Sequence, residues 1–180
     1  MEGVKDISTL HIFTDGSVNV KTGVGAGAIL VLSDVDASVL CEVDFKRYRQ
    51  EIKIDVFKGT SSTRLELQAQ LSAMSNISTY GIRKIVFYTD SQNILSLLSR
   101  RTRLEALNFF SKKGKRLANA ELYQQFYVYW DGFVKSGCQC EWVKLAGHLP
   151  DSAKNTIDQL FSLVDKAARQ ANMDLHRKLL

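Results

Sequence analysis

The chain has 180 residues, 45% of them hydrophobic, with a formal net charge of +5 and a pI near 9.1. That length fits one domain spanning residues 1–180, able to bury about 70% of the surface its unfolded chain exposes, so no cross-link is needed. No apolar stretch is long enough to span a bilayer. Three cysteines, Cys41, Cys138 and Cys140, form no disulfide framework, and no signal peptide precedes the first apolar run; the expected setting is intracellular, reducing and cytoplasmic. So mild a positive charge names no partner by itself.

In chain order, residues 1–8 are polar and are expected to fray. Leu10 to Ser17 (LHIFTDGS) is an apolar run ending in a carboxylate, a glycine and a hydroxyl, which reads as a buried strand delivering Asp15 to a sheet edge. Gly25 to Leu32 is small and then apolar, suited to a strand pressed closely against another backbone. Its glycines are not a dinucleotide fingerprint, because they open a strand rather than a helix. Within Val39 to Lys58, Ile52, Ile54 and Val56 alternate with Lys53, Asp55 and Phe57, which predicts a half-buried third strand with the aliphatic residues inward. These three strands form an antiparallel meander.

From Ser62 the period becomes helical through Leu65, Ala69, Ala73 and Ile77, with Gly81 placed as a C-terminal cap. Lys84 to Ser91 (KIVFYTDS) repeats the ending of the first strand, and a short helix follows through Ile94, Leu97 and Leu98. A strand, helix, strand order implies a right-handed crossover and a parallel pair. Arg100 to Arg116 is the most basic stretch; it reads either as a solvated helix face or as a protrusion that holds a phosphate backbone. Ala120 to Lys135 carries an aromatic stripe at helical spacing, better suited to a core than to base stacking. Gln139 to Lys144 alternates as a fifth strand, and Ala146 to Pro150 leaves it as a loop. Cys138, Cys140 and His148 lack a fourth zinc ligand. A last helix opens with Thr156 and Gln159 at capping-box spacing. The expected fold is α/β, a mixed five-stranded sheet with three antiparallel strands and then two parallel ones, flanked by helices.

Four acids recur at the ends or openings of separate elements: Asp15, Glu66 in the first turns of the helix from Ser62, Asp90, and Asp165 near the C-terminus. Carboxylates brought together this way repel and raise one another's pKa values unless cations compensate them. Magnesium is the natural partner, a hard ion that keeps positions open for water and phosphate oxygens. Two such ions clamp the attacking and leaving oxygens of a phosphodiester displacement.

The ordered set Phe13-Thr14-Asp15-Gly16-Ser17, Thr63-Arg64-Leu65-Glu66-Leu67, Tyr88-Thr89-Asp90-Ser91-Gln92, Gly147-His148 and Val164-Asp165-Lys166-Ala167-Ala168-Arg169 resembles ribonuclease H of type 1 over residues 9–172. The resemblance implies cleavage of the RNA strand of an RNA/DNA hybrid with two Mg2+ ions, or Mn2+ in their place. It implies a metal-binding and catalytic set of Asp15, Glu66, Asp90 and Asp165, with His148 assisting proton transfer or product departure. Gly16 and Ser17 would let the RNA backbone approach, Thr63 and Gln92 would meet the minor groove, and Ser61 would face a DNA phosphate. Lys112, Lys113, Lys115 and Arg116 match the family's basic protrusion, which decides residues 100–116 toward phosphate binding. The chain departs from the pattern in a longer segment before Glu66, in its first loop, and at Thr63, where the family has Asn.

Two choices stay open. The family's usual interval from His148 lands on Asp158, whereas the local motif lands on Asp165. Seven residues return to nearly the same helix face about 10 Å further on, so only one can reach the site. Asp165 is favoured, because Ala167 and Ala168 suit close packing; otherwise it is a surface acid paired with Arg169. The second choice concerns function. A non-catalytic nucleic-acid-binding module, or a two-metal nuclease with another substrate, shares this fold. A monomer without an obligatory protein partner is expected.

Overall fold

The computed structural model describes residues 9–33, 45–146 and 150–177. Its five strands are β1 (Thr9–Asn19), β2 (Val24–Ser33), β3 (Lys53–Lys58), β4 (Lys84–Thr89) and β5 (Gln139–Lys144). They form one sheet in the order β3-β2-β1-β4-β5. The β1–β2 and β2–β3 pairs are antiparallel, and the β1–β4 and β4–β5 pairs parallel. The helices are α1 (Phe45–Glu51), α2 (Ser62–Ser75), α3 (Gln92–Leu95), α4 (Leu97–Ala106), α5 (Ala120–Lys135) and α6 (Thr156–Arg177). Among the described residues no helix is long and apolar enough to cross a membrane.

Alternation along the strands builds two cores. Ile12, Ile29, Ile85 and Phe87 point to the face covered by α2 and α5, where they meet Leu67, Leu71, Phe126 and Phe133. Phe13, Leu30, Val86 and Tyr88 point to the other face and meet Leu160, Phe161 and Val164 of α6, with Tyr48 of α1. Phe13 and Tyr88 are register partners on neighbouring parallel strands, and their rings stack at 4.4 Å. That contact ties the two strands that end in Asp15 and Asp90.

The feature that makes room for a site is unequal strand length. The β1–β4 ladder stops at Phe13 and Tyr88, while β1 runs on to Asn19 against β2 alone. From Thr14 onward β1 therefore has one open flank, and Asp15 stands at its beginning. On the opposite edge of that segment β2 is glycine-rich, so that α2 can lie almost on the backbone. A Cβ at Gly27 would stand 2.8 Å from Cβ of Ala69, and one at Gly16 would stand 2.9 Å from Cγ of Leu65. The close-packing expectation for this strand is met by α2.

Several sequence expectations need correction. β3 alternates as expected but with the faces reversed: Asp55 and Phe57 are half-buried, while Ile54 and Val56 are exposed. Asp55 turns inward because Ser72 of α2 donates to its carboxylate. A helix, α1, stands within the stretch read only for its strand. α2 ends at Ser75 with Asn76 as its cap, and Gly81 takes its positive φ of 75° in the following turn instead. The last helix is capped one residue earlier than expected. Asn155 Oδ1 accepts from the backbone N–H of Asp158, and Asp158 Oδ2 accepts from that of Asn155, a reciprocal capping box.

Adding one methyl group tests the α2 seat. Gly27→Ala should lower unfolding free energy in urea by about 1–3 kcal/mol, the usual effect of overpacking. An unchanged midpoint would mean that α2 does not rest on the backbone of β2.

Candidate active site

At the open flank of β1 four elements deliver acids to one pocket of about 190 Å³, whose wall includes Asp15, Gly16, Ser17, Glu66, Asp90, Ala146, Lys154, Asp158, Phe161, Ser162, Asp165 and Arg169. Asp15 comes from the middle of β1, on the α6 face by strand parity. Asp90 directly follows β4. Glu66 lies one turn into α2, and Asp165 projects from α6.

The electrostatics are those of a site short of positive charge. Burial, with the nearby carboxylates of Asp90 and Asp165, pushes the Asp15 carboxyl up to about 8, opposed by a hydrogen bond from the Gly16 backbone. Burial and Asp90 raise Glu66 too, opposed by Ser91. Ser91 Oγ donates to Glu66 Oε2 at 2.6 Å and accepts from the Ile94 amide, so one hydroxyl both caps α3 and orients Glu66. Arg169 holds Asp165, Nε to Oδ1, at 2.7 Å.

Asp158 and Asp165 both line the pocket, but they are differently engaged. The Asp158 carboxylate is turned back to the helix start; that of Asp165 meets Asp15. Ser17 lies on the pocket wall, where Asn172 of α6 donates to its hydroxyl at 3.1 Å. Ser61 is the N-cap residue of α2, Thr63 lies in that helix's exposed first turn, and Gln92 opens α3; none of these three lines the pocket. His148 and Gly147 fall outside the described residues.

The basic segment divides in two. Arg100 and Arg101 do structural work: Arg100 bonds the Asn93 side chain, and Arg101 grips Asp131 through two nitrogens with its guanidinium 4.9 Å from the Tyr127 ring centre. Beyond α4, a bridge between Phe110 and Arg116 closes a tight loop, with Gly114 at positive φ. Lys112, Lys113, Lys115 and Arg116 are exposed on that loop, and none of them lines the carboxylate pocket.

Sequence reasoning missed several contributors. Ser91 lies between Asp90 and Gln92, the two residues of its motif that carry an expected role, and has none of its own. Lys154, Phe161 and Ser162 carried no local signal, and Asn172 meets a partner 155 positions away.

Among the described residues no three His, Cys, Asp or Glu side chains close tightly enough to form a finished metal cage. The donor set nevertheless suits a hard divalent ion: all-oxygen ligands, converging from four elements, with repulsion that a cation would relieve.

A mixed sheet with acids gathered where its central strand outruns a parallel neighbour is an arrangement that divalent-metal chemistry can use. The RNase H family model matches residues 8–172, and the chain belongs to that family, whose members act on RNA/DNA hybrids and generally depend on divalent metal. No curated protein matches the chain significantly.

The raised Asp15 has a consequence for stability. With metal chelated, the folded chain keeps this proton up to about pH 8, whereas an ordinary aspartate releases it near 3.8. Folded protein thus binds the extra proton between those values, so the stability from this group is full below the lower one and is lost as pH rises toward the upper. Asp15→Asn should therefore melt above the parent at pH 8, by roughly 4 °C or more, with the gap closing toward pH 4. Parallel melting curves across that range would contradict the shift.

Proposed function

We propose that this chain is a divalent-metal-dependent endonuclease that hydrolyses the RNA strand of RNA/DNA hybrids, with Asp15, Glu66, Asp90 and Asp165 as its ligand set. The observation that carries the proposal is the state of Asp15: a half-buried acid facing two other carboxylates, in a pocket at the end of the sheet. A protein that only bound nucleic acid would have no use for such repulsion.

Asp15, Glu66, Asp90 and Asp165 would together hold the divalent metal. Mg2+, or Mn2+ in its place, would polarise the scissile phosphate and lower the pKa of the attacking water. The chain's own residues prepare that step. Ser91 holds Glu66 in one orientation, so no rotamer search precedes ligation. Gly16, on the pocket wall next to Asp15, would let the RNA backbone approach. Ser17 is fixed by Asn172 at the pocket wall, where it would meet the RNA backbone, and His148 would assist proton transfer or product departure.

Recognition would be spread over surfaces outside the pocket. Thr63 and Gln92 would sense the 2′-hydroxyls that distinguish the RNA strand in the minor groove, and Ser61 would face a DNA phosphate. The exposed lysines of the 111–116 loop would hold the hybrid's backbone by charge, which makes that contribution salt-dependent.

Labelled RNA/DNA hybrid, double-stranded RNA and single-stranded RNA, each with and without Mg2+, test the proposal. The expected result is Mg2+-dependent cutting of the hybrid alone. Asp15→Asn and Asp165→Asn should lose more than about 100-fold, beyond the usual effect of removing a mere supporting residue, while Asp158→Asn stays within a few-fold of the parent. Hybrid binding without cutting of any substrate would instead support a non-catalytic module. Loss in Asp158→Asn with retention in Asp165→Asn would reverse the ligand assignment.

A further inference from the structure

Behind the pocket, in the core between α2 and β1, sits a polar pair that the packing does not require. Gln70 is completely buried and Thr14 is 3% exposed. Thr14 Oγ1 donates to Gln70 Oε1 at 2.9 Å, while Gln70 Nε2, also buried, finds no acceptor among the described residues. Its surroundings are apolar: Leu67, Leu71 and Met74 of the same helix are buried beside it. A glutamine with one end unpaired in such a place costs stability, which an apolar side chain of similar shape would not.

Its location gives the pair a use. Thr14 directly precedes Asp15. Gln70 follows Glu66 by four residues, one turn or about 6 Å along the same helix face. The hydrogen bond therefore joins the two elements that carry two of the four acids, one position from the first and one turn from the second.

The glycine floor explains why such a joint is needed. Where α2 crosses β1 and β2, it meets Gly16, Gly25 and Gly27, with Leu65 and Ala69 nearly touching backbone. Helices usually take their axial position from side-chain ridges fitting into grooves; under Leu65 and Ala69, on either side of Glu66 and next to Gln70, the glycines offer no groove, and such packing begins only with Leu67 and Leu71 on Ile12 and Ile29. Close approach is secured there, but sliding along the axis is not. A directional hydrogen bond, which weakens steeply off its geometry, supplies an axial constraint at the Glu66 end of the helix, as Ser72 donating to Asp55 does further along.

We propose that the Gln70–Thr14 hydrogen bond is a register pin, a positioning device that sets the height of Glu66 against Asp15 and thereby the spacing of the metal ligands. This rests on the ligand assignment proposed above. Neither residue touches substrate or ion; both act through their neighbours in the chain.

The test compares Thr14→Val, Gln70→Leu and the double variant with the parent. Its readouts are melting temperature, Mn2+ affinity by calorimetry, and kcat and KM on RNA/DNA hybrid. The double variant replaces the pair by apolar groups of similar shape, so it is expected to melt at or above the parent. Its Mn2+ affinity should nonetheless fall at least about fivefold, and kcat at least about tenfold, with KM within twofold. Each single variant should show nearly the whole functional loss, since either removal breaks the one bond. Leu104→Ala, a truncation in the core under α4, controls for stability: it should lower the melting temperature without the loss of Mn2+ affinity.

Parent-like Mn2+ affinity and kcat in the double variant would overturn the pin, as would an equal loss of metal affinity in Leu104→Ala, which would reduce the effect to general loosening. A parent that neither cuts hybrid nor takes up Mn2+ would remove the ligand assignment and the pin with it, an outcome visible before any variant is made.

Discussion

Mutual repulsion among acids is the constraint around which this chain is arranged. Asp15 is half-buried at the mouth of the sheet with Asp90 and Asp165 near enough to raise its pKa, and Glu66 completes the group from a third direction. Such charge can be gathered only by a scaffold that spends stability elsewhere to hold it. Two aromatic and aliphatic cores, one on each face of the sheet, supply that stability. The Phe13–Tyr88 stack sits directly under the two strand ends that carry Asp15 and Asp90, so the most repulsive part of the molecule rests on one of its best-packed contacts.

Three of the four acids have a support of their own, each drawn from a different kind of interaction. Glu66 is held by the Ser91 hydroxyl, Asp165 by the Arg169 guanidinium, and Asp15 by a backbone amide. The Arg169 pair is half exposed and contributes little to folding; its meaning is local, as positive charge beside the pocket when no metal is bound. The early end of the β1–β4 ladder gives the group an open side from which a phosphate could approach. Sheet topology, strand length and side-chain chemistry converge on the same few ångströms.

Much of this was legible in the sequence because it is local. The twin endings at Asp15 and Asp90 follow from apolar runs that stop at the same chemistry, and α5 and β5 fall on the predicted residues because periodicity there is unbroken. What escaped was decided by partners far along the chain. The faces of β3 are set by its register with the glycines of β2 and by Ser72 of α2 claiming Asp55, whereas hydropathy pointed to Ile54 and Val56 as inward. Two overlapping capping boxes, Thr156 with Gln159 and Asn155 with Asp158, differ by one residue, and only the backbone geometry chooses between them; that choice also decides where the Asp158 carboxylate points. A glutamine on a helix reads as solvent-facing, so nothing near Gln70 announces a threonine 56 positions away. The roles of Ser61, Thr63, Gln92 and the 111–116 lysines are matters of what the pocket's surroundings bind, and they rest on the family resemblance and on exposure.

The central claim is that the four acids at the open flank of β1 form one cation site. Crystals equilibrated with Mn2+ and measured at the manganese absorption edge test it most directly. The account predicts anomalous density in contact with Asp15 and Asp165, and with Glu66 and Asp90 on the other side of Asp15. Manganese bound at Asp158 while Asp165 keeps only Arg169, or no anomalous density in the pocket at saturating Mn2+, would contradict it.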